Sequence, residues 1–352
     1  MRTIIKTSPY AQHYRALFRL GAPLTAGHFA HTAIGVTDSL MLGWYSVDAL
    51  AAGVLGHTVF FVIFIVGAGF GTAVLPMVAS AFGQQNTILQ RRATRMGLWL
   101  STAFSLLVLP LFFYSKELLI FIRQPTDLAT YASQYLQIVG FAMFPALILH
   151  VVKSYLSARE LMSFVLVATL VGFLINIPLN YVFIFGKLGF PNLGVEGSAL
   201  ASLIVNIVTA ISVCFYAAVK HPEQALFMRI WRPDWKALGD VIKLGLPISV
   251  TSLAEAGLFA GSTIMMGWLG TVAVAAHGIA LHITSLTFVI HVGLSSAATI
   301  QVGQAYGAAK FLDLKRSTFA ASFASFLVVL LTVFTFLVMP KFLVSLFVDP
   351  NA

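Results

Sequence analysis

The sequence predicts an all-α polytopic membrane protein built from two parallel-repeat helical lobes. Hydrophobic residues make up 59% of the 352 residues and charged residues only 9%, whereas a soluble domain has roughly half and a quarter respectively. Apolar runs long enough to cross a bilayer as helices recur along the whole chain, while a membrane β-barrel would show only short alternating segments. A long stretch of the first half also recurs, without gaps, in the second half.

Nine membrane spans are expected, and the basic residues divide unequally between the two ends of these spans. Seventeen of the 21 Lys and Arg residues lie in connections on one side and four on the other, so the positive-inside rule places the N-terminus in the cytoplasm. No Lys or Arg falls within a predicted span, and the net charge of +9 therefore indicates topology rather than nucleic-acid binding. The predicted spans are 20–43, 52–81, 97–114, 129–151, 163–185, 196–219, 244–267, 272–303 and 318–340.

The repeat appears when the chain is shifted by 224 residues. Gly21, Gly69 and Gly83 then fall on Gly245, Gly293 and Gly307. Because both copies start on the cytoplasmic side, they are parallel and related by an axis along the membrane normal. The predicted domains are an N-terminal six-helix lobe (1–219), a cytoplasmic linker (220–243) and an incomplete C-terminal lobe of three spans (244–352). A complete second copy would need three more spans, or about 90 further residues.

Of the twelve Asp and Glu residues, ten lie in connections or at span ends; the exceptions are Asp38 in span one and Glu255 in span seven. A carboxylate in the middle of a spanning helix costs about 2.5 to 3.5 kcal/mol, so both must face a protein interior or a wet cavity. They predict ion-coupling sites at which a proton, a metal ion and a cationic solute compete. The alternative is a fixed polar contact between helices.

Polar side chains on spans five and six supply further candidate ligands. Asn176 and Asn180 are four residues apart on span five and share a face, as do Ser198, Ser202 and Asn206 on span six. Their oxygen atoms suit a hard cation such as sodium. The alternative for span six is that these side chains bond to carbonyls of their own helix.

The remaining residues give little sign of a metal centre or an enzyme. His28 and His31 share a face of span one with Asp38, but no metal-binding sequence motif accompanies them, so hydrogen bonding between helices is favoured. The single Cys214 provides no cysteine pair, and no nucleophile with a nearby base is apparent. We expect no cofactor, no resident metal and no enzymatic activity, with Na⁺ or H⁺ as the coupling ion and Asp38, Asn180 and Glu255 as candidate Na⁺ ligands.

Several sequence segments resemble the multidrug and toxic compound extrusion family, in its NorM-like branch. They are L-G-A-P from Leu20, V-T-D-S-L-M-L-G-W from Val36, the long run N-I-P-L-N-Y through V-E-G-S-A-L-A-S that begins at Asn176, A-A-H-G-I-A-L from Ala275 and V-G-Q-A-Y-G from Val302. The resemblance covers essentially the whole chain and is strongest in span five. It implies two six-helix lobes, of which the second lacks its last three spans here, and export of cationic amphipathic compounds in exchange for Na⁺ or H⁺ by alternating access.

The resemblance also assigns residues. Asp38 matches the family's first-span acidic residue, Asn176 and Asn180 match its span-five amides, and Ser202 stands where the family often has Thr. Glu255 matches the acidic residue of span seven, but the span-ten acidic residue with which it is associated has no counterpart in this chain. The five residues are the expected cation-coupling and substrate-binding set.

The resemblance and the charge pattern together imply a multi-pass protein of the bacterial inner membrane that acts as a monomer on small cationic substrates. One alternative is a flippase for a lipid-linked precursor, which would need a cleft lined by several Arg and Lys residues. Another is an inactive truncated transporter.

Overall fold

The computed structural model describes residues 9–220, 222 and 225–345, and the regular structure within these ranges is helical apart from turns. One 3₁₀ turn at Gly140–Ala142 joins α5 to α6. The helices are α1 (Pro9–Tyr45), α2 (Val47–Gly83), α3 (Thr87–Phe113), α4 (Ser115–Phe121), α5 (Thr126–Val139), α6 (Met143–Ala158), α7 (Met162–Phe185), α8 (Val195–Lys220), α9 (Trp235–Trp268), α10 (Thr271–Gly307), α11 (Phe311–Val338) and α12 (Pro340–Ser345).

Eight described helical segments are long and apolar enough to cross a membrane, which confirms the all-α polytopic fold. They are 47–83, 87–113, 126–158, 162–185, 195–220, 235–263, 276–307 and 311–338. Helix α1, with 37 residues, matches the remaining predicted span. It packs against α2, α7 and α10, and its place as a ninth span stays a prediction.

The helix boundaries repeat with the same 224-residue offset as the sequence. Helix α2 begins at Val47 and α10 at Thr271, and α3 begins at Thr87 and α11 at Phe311. The turn before α2 is capped by Ser46, whose Oγ accepts from the N–H of Ala49 at 3.0 Å. The corresponding turn before α10 uses Gly270, whose φ of 110° is a conformation that side chains oppose. The two copies therefore share their helix register but close this turn differently.

Glycines allow the two lobes to approach closely, and these contacts occur at equivalent positions of the two repeats. A Cβ atom at Gly69 would overlap the Ser249 side chain, and one at Gly293 would overlap Thr25. Positions 69 and 293 are equivalent in the repeat, and so are positions 25 and 249. The interface is thus self-complementary, as expected for two parallel copies related by an approximate two-fold axis.

A second symmetric pair lies near the ends of α2 and α10. A Cβ atom at Gly83 would overlap the Gln304 carbonyl, and one at Gly307 would overlap the carbonyl of Ser80, the repeat equivalent of Gln304. These ends of the lobes therefore touch backbone to backbone. By contrast, no atom lies within 4 Å of a Cβ at Gly27, on α1, or at Gly257, on α9.

Helix α9 begins at Trp235, nine residues before the predicted start of span seven. Asp234 caps the helix by accepting from the Ala237 N–H at 3.1 Å. The same carboxylate receives two hydrogen bonds from the Arg92 guanidinium at the start of α3, which holds the pKa of Asp234 below its usual value. The domain boundaries at 219 and 244 stay predictions.

Two further side chains of α3 tie the linker to the N-terminal lobe. Arg95 donates to the backbone carbonyls of Leu226 and Ala225 at 2.8 and 2.7 Å, and Trp99 Nε1 donates to the carbonyl of Ile230 at 2.7 Å. The connection between the lobes is therefore attached to one of them.

The helix that carries the fourth predicted span is longer than predicted. The segment 126–158 ends at Ala158, seven residues beyond the predicted end of that span, and so includes Lys153; the absence of basic residues from the spans stays a prediction. The helix continues past the apolar run because Val151, Val152, Tyr155 and Leu156 are buried on its packed face.

Candidate cation-coupling site

The candidate site is a buried carboxylate held by three side chains of two other helices. Asp38, on α1, is 7% exposed. Its Oδ1 accepts from Asn176 Nδ2 at 2.9 Å and from Asn180 Nδ2 at 2.6 Å, and its Oδ2 accepts from Ser202 Oγ at 2.7 Å. Four of the five predicted site residues therefore form one cluster.

Helix packing brings these side chains together. Asn176 and Asn180 are one turn apart on α7 and both fully buried, and α7 packs against both α1 and α8. The approach of α7 to α8 is close because Gly197 has no side chain: a Cβ there would lie 2.5 Å from the carbonyl oxygen of Phe183. This contact sets the depth at which Ser202 reaches Asp38.

Both amide oxygens in the cluster are buried without a described hydrogen-bond donor. They are Asn176 Oδ1 and Asn180 Oδ1. An unsatisfied buried acceptor costs about 1 to 3 kcal/mol, and here two of them lie beside a carboxylate. The site therefore offers more oxygen acceptors than the protein itself satisfies, which is the donor set that a hard cation prefers.

Two residues near Asp38 were missed by the sequence analysis. The His57 imidazole, on α2, and the buried Tyr135, on α5, both lie within electrostatic range of the Asp38 carboxylate. A Cβ at Gly35, one turn before Asp38, would be 3.7 Å from His57 Nε2. The sequence does not indicate that His57 and Tyr135 belong to the site, because they lie on α2 and α5, whereas the residues that bond to one another in the cluster lie on α1, α7 and α8.

The other candidate residues lie apart from Asp38 or bond elsewhere. Asn206 Nδ2 donates to the Ser202 carbonyl at 2.8 Å, so the alternative of bonding within span six holds for it. Ser198 is buried, and its hydroxyl has no described partner. Glu255, on α9, is exposed, and no described contact joins it to the cluster. Within the described residues, no group of three or more His, Cys, Asp or Glu side chains is arranged to hold a metal ion.

The two-lobed helical architecture with a carboxylate buried in one lobe is that of a membrane transporter. The chain matches the MatE family over residues 23–182 and 247–352, and it belongs to that family. This is a family of transporters, which confirms that the chain is not an enzyme.

The curated relatives that the chain resembles are named as probable multidrug resistance proteins NorM. One, from Agrobacterium fabrum, is 40% identical over 341 residues, which is 96% of this chain and 73% of the relative. Another, from Rhizobium meliloti, is 43% identical over 311 residues, which is 88% of this chain and 66% of the relative. The chain thus spans about two thirds to three quarters of the length of these relatives.

Solved structures confirm the fold. A MATE transporter in a bent conformation matches with a TM-score of 0.85 at 25% identity, over 97% of this chain and 77% of that one. An outward-facing multidrug resistance MATE family transporter matches with a TM-score of 0.83 at 24% identity, over 99% and 78%. The chain is a multi-pass bacterial membrane protein of this fold.

Proposed function

We propose that the protein exports cationic amphipathic compounds in exchange for Na⁺ or H⁺ across the bacterial inner membrane. The observation that carries this proposal is the Asp38 cluster, in which one buried carboxylate accepts from two amides whose own oxygens are buried without a described donor. A buried carboxylate needs a partner of positive charge. A proton, a sodium ion and an ammonium group are alternative partners, and only one of them can be held at a time.

The two amides can stabilise the site both when it is empty and when a cation occupies it. In the arrangement observed, Asn176 and Asn180 turn their N–H₂ groups to Asp38 and so compensate its charge. An amide carries an acceptor and a donor on the same carbon, so rotation would present the oxygens instead. We propose that the donors face Asp38 when the site is empty, and that the oxygens join Asp38 and Ser202 as ligands when Na⁺ occupies it.

The symmetric lobe contact supports alternating access. The close backbone contacts at Gly83 and Gly307 lie at the end of the bundle where α1 starts. The excess of basic residues at this end supports a cytoplasmic location of the N-terminus. We therefore propose that the arrangement described is closed towards the cytoplasm and that transport requires these contacts to separate.

Glu255 is retained as a proposed second coupling residue in the C-terminal lobe. Its carboxylate, on α9, is not covered by other described parts of the chain. It has no described contact with the Asp38 cluster, so the two carboxylates would act in separate lobes.

Competitive binding tests the proposal. The purified protein in lipid nanodiscs should bind a fluorescent lipophilic cation, and the ion whose concentration weakens that binding identifies the coupling ion: Na⁺ at fixed pH or H⁺ at fixed Na⁺. Asp38→Asn should abolish the competition, because the neutral amide no longer needs a cationic partner. The matched control Asp127→Asn changes an exposed carboxylate at the start of α5 and should leave it intact.

Transport is measured separately in vesicles that carry a proton or a sodium gradient. Export of the same dye should follow one gradient and disappear in Asp38→Asn. Undiminished export and competition in that variant would remove Asp38 from the mechanism.

A further inference from the structure

Two cavities flank the contact between the lobes, at the end of the bundle that carries Gly83 and Gly307. The larger cavity, of about 680 Å³, is lined by residues of α2 and α3 from the N-terminal lobe and of α9, α10 and α11 from the C-terminal lobe. The smaller cavity, of about 360 Å³, is lined mainly by residues of α1, α2, α10 and α11. Both cavities therefore lie between the lobes.

The two cavities are related by the internal repeat, but their walls differ in polarity. Many of their lining residues correspond to one another through the 224-residue offset. Four positions that are polar in the smaller cavity have apolar equivalents in the larger one, namely His13 and Ala237, Gln301 and Met77, Asp313 and Leu89, and Ser317 and Ala93.

Polar side chains join the lobes across the smaller cavity. The His13 Nδ1 lies 3.0 Å from Ser317 Oγ, and its Nε2 lies 3.8 Å from Asp313 Oδ1. Gln301 Nε2 also donates to the backbone carbonyl of His13 at 3.4 Å. The apolar side chains at the equivalent positions of the larger cavity cannot form such bonds. A ligand in the larger cavity would therefore fill a part of the lobe contact that these positions leave open.

The charged side chains of the larger cavity are Arg92, Lys236 and Asp240. Arg92 is already paired with Asp234. The described ion pairs include neither Lys236 nor Asp240, and both of these side chains are exposed. They are four residues apart on α9, so an ammonium group and a carboxylate lie side by side at the edge of the cavity.

Helix α9 changes from polar to apolar along the face that lines the larger cavity. Lys236 and Asp240 are followed, one turn further along α9, by Leu244, which also lines the cavity. Trp231 and Trp235, just before Lys236, are 68% and 73% exposed. Tryptophan is enriched at membrane–water interfaces. The charged edge of the cavity therefore lies at the level of the lipid headgroups, and its apolar part lies deeper in the membrane.

We propose that the larger cavity binds a phospholipid with a primary ammonium headgroup, namely phosphatidylethanolamine. Lys236 binds the phosphate, Asp240 accepts from the ammonium group, and the upper part of an acyl chain lies against Leu244 and Met77. The cavity volume is within the range of roughly 300 to 1,000 Å³ that is typical of small-molecule sites, so it holds the headgroup and only part of the chains.

The pair of charges favours this headgroup over two others. A purely anionic lipid would suit a pocket with several free cations, but here it would leave the Asp240 carboxylate unpaired. A choline headgroup carries a positive charge but has no N–H donor for a charge-assisted hydrogen bond. Because the walls of the cavity come from both lobes, the bound lipid should also stabilise the described contact between them. The inference does not depend on ion exchange at Asp38.

Native mass spectrometry of the purified, delipidated protein in detergent tests the proposal. Phosphatidylethanolamine, phosphatidylcholine and phosphatidylglycerol with the same acyl chains are titrated separately, and the first should bind most tightly. Asp240→Asn should weaken phosphatidylethanolamine binding about 5-fold, the upper end of what an exposed ion pair contributes, and leave phosphatidylcholine unchanged. Lys236→Met should weaken both by a similar factor, because both carry the phosphate. Lys243→Met, at an exposed position of α9 outside the lining of the cavity, should change neither.

Thermal unfolding of the same samples tests the effect on the lobe contact. Phosphatidylethanolamine should raise the unfolding temperature of the unaltered protein and of Lys243→Met more than phosphatidylcholine does. This difference should disappear in Asp240→Asn. An equal rise with both lipids in the unaltered protein would contradict the proposal.

Four binding results would overturn the inference. Equal affinities of the unaltered protein for phosphatidylethanolamine and phosphatidylcholine would show that the ammonium group is not recognised, and tighter binding of phosphatidylglycerol would assign the cavity to anionic lipids. Equal losses in Lys236→Met and Lys243→Met would indicate a general effect of surface charge. Displacement of the lipid by the fluorescent cation described above would make the cavity part of the transport route. Ion competition at Asp38 is measured with a different ligand, so it stands or fails separately.

Discussion

Adding one methyl group at Gly83 should destabilise the contact between the lobes. The new Cβ would overlap the Gln304 carbonyl and would lie 3.0 Å from the backbone nitrogen of Ala308. These are backbone atoms of α10 and its end, so relief requires the two helices to separate. Overpacking of this kind costs about 1 to 3 kcal/mol, while alanine gains up to about 1 kcal/mol over glycine inside a helix. With that full gain, we expect a net loss of up to about 2 kcal/mol in the free energy of unfolding.

The matched control is Gly257→Ala, on α9, where nothing lies within 4 Å of the new Cβ. That variant should be neutral or up to about 1 kcal/mol more stable, because only the helix-propensity gain remains. Equilibrium unfolding in mixed detergent micelles measures both. If Gly83→Ala stabilises the protein as much as Gly257→Ala does, the close packing described here is refuted.

The internal symmetry sharpens the same test. Gly307 meets the carbonyl of Ser80 as Gly83 meets that of Gln304, so Gly307→Ala should cost a similar amount. Once either methyl group has separated the helices, the second has less contact to break. The double variant should therefore lose less than the sum of the two single losses, and strict additivity would mean that the two contacts are independent.

Three other predictions concern the linker and the sites. Arg92→Ala should increase protease cleavage of the linker at neutral pH, because the ion pair between Arg92 and Asp234 is lost. In the unaltered protein the folded pKa of Asp234 is lowered, so this ion pair should persist at neutral pH and break only as the pH falls through that lowered value. Linker protection that already disappears near pH 6 would contradict this. Ser202→Ala should weaken ion competition about 10-fold through loss of its hydrogen bond to the carboxylate, whereas Ser212→Ala, whose hydroxyl bonds to its own helix, should not. Glu255→Gln should reduce export but leave cation binding at the N-terminal lobe unchanged, and a loss of that binding would show that the two carboxylates are coupled.

Much of the fold could be predicted because its signals are local or periodic. Long apolar runs mark helices wherever they occur, and the 224-residue offset is visible in single residues such as Gly69 and Gly293. The helix ends were less predictable, since a helix can continue beyond its apolar run when one face remains packed. Lys153 is the instructive case: buried residues on both sides carry α6 past it to Ala158.

The candidate site likewise contains some residues that could be predicted from the sequence and others that could not. Asp38 and the two asparagines could be found because a polar residue in an apolar helix stands out at any position, and the spacing of Asn176 and Asn180 places both on one face. His57 and Tyr135 could not, because their proximity to Asp38 depends on how α2 and α5 pack against α1. Glu255 stands out equally in the sequence, but the structure gives it an exposed position without a described partner.

Comparison of equivalent positions in the two copies distinguishes residues that pack at the lobe interface from residues of the candidate sites. At the lobe interface, equivalent positions carry the same or similar small residues, as with Gly69 and Gly293 or Thr25 and Ser249, because each must fit the other copy across the approximate two-fold axis. Away from the interface this restriction is absent. Asp38 then corresponds to Ser262, and His31 corresponds to Glu255. One position thus carries an imidazole in one lobe and a carboxylate in the other, so lobes that share a backbone plan differ in the chemistry of their interiors and need not carry the same ion.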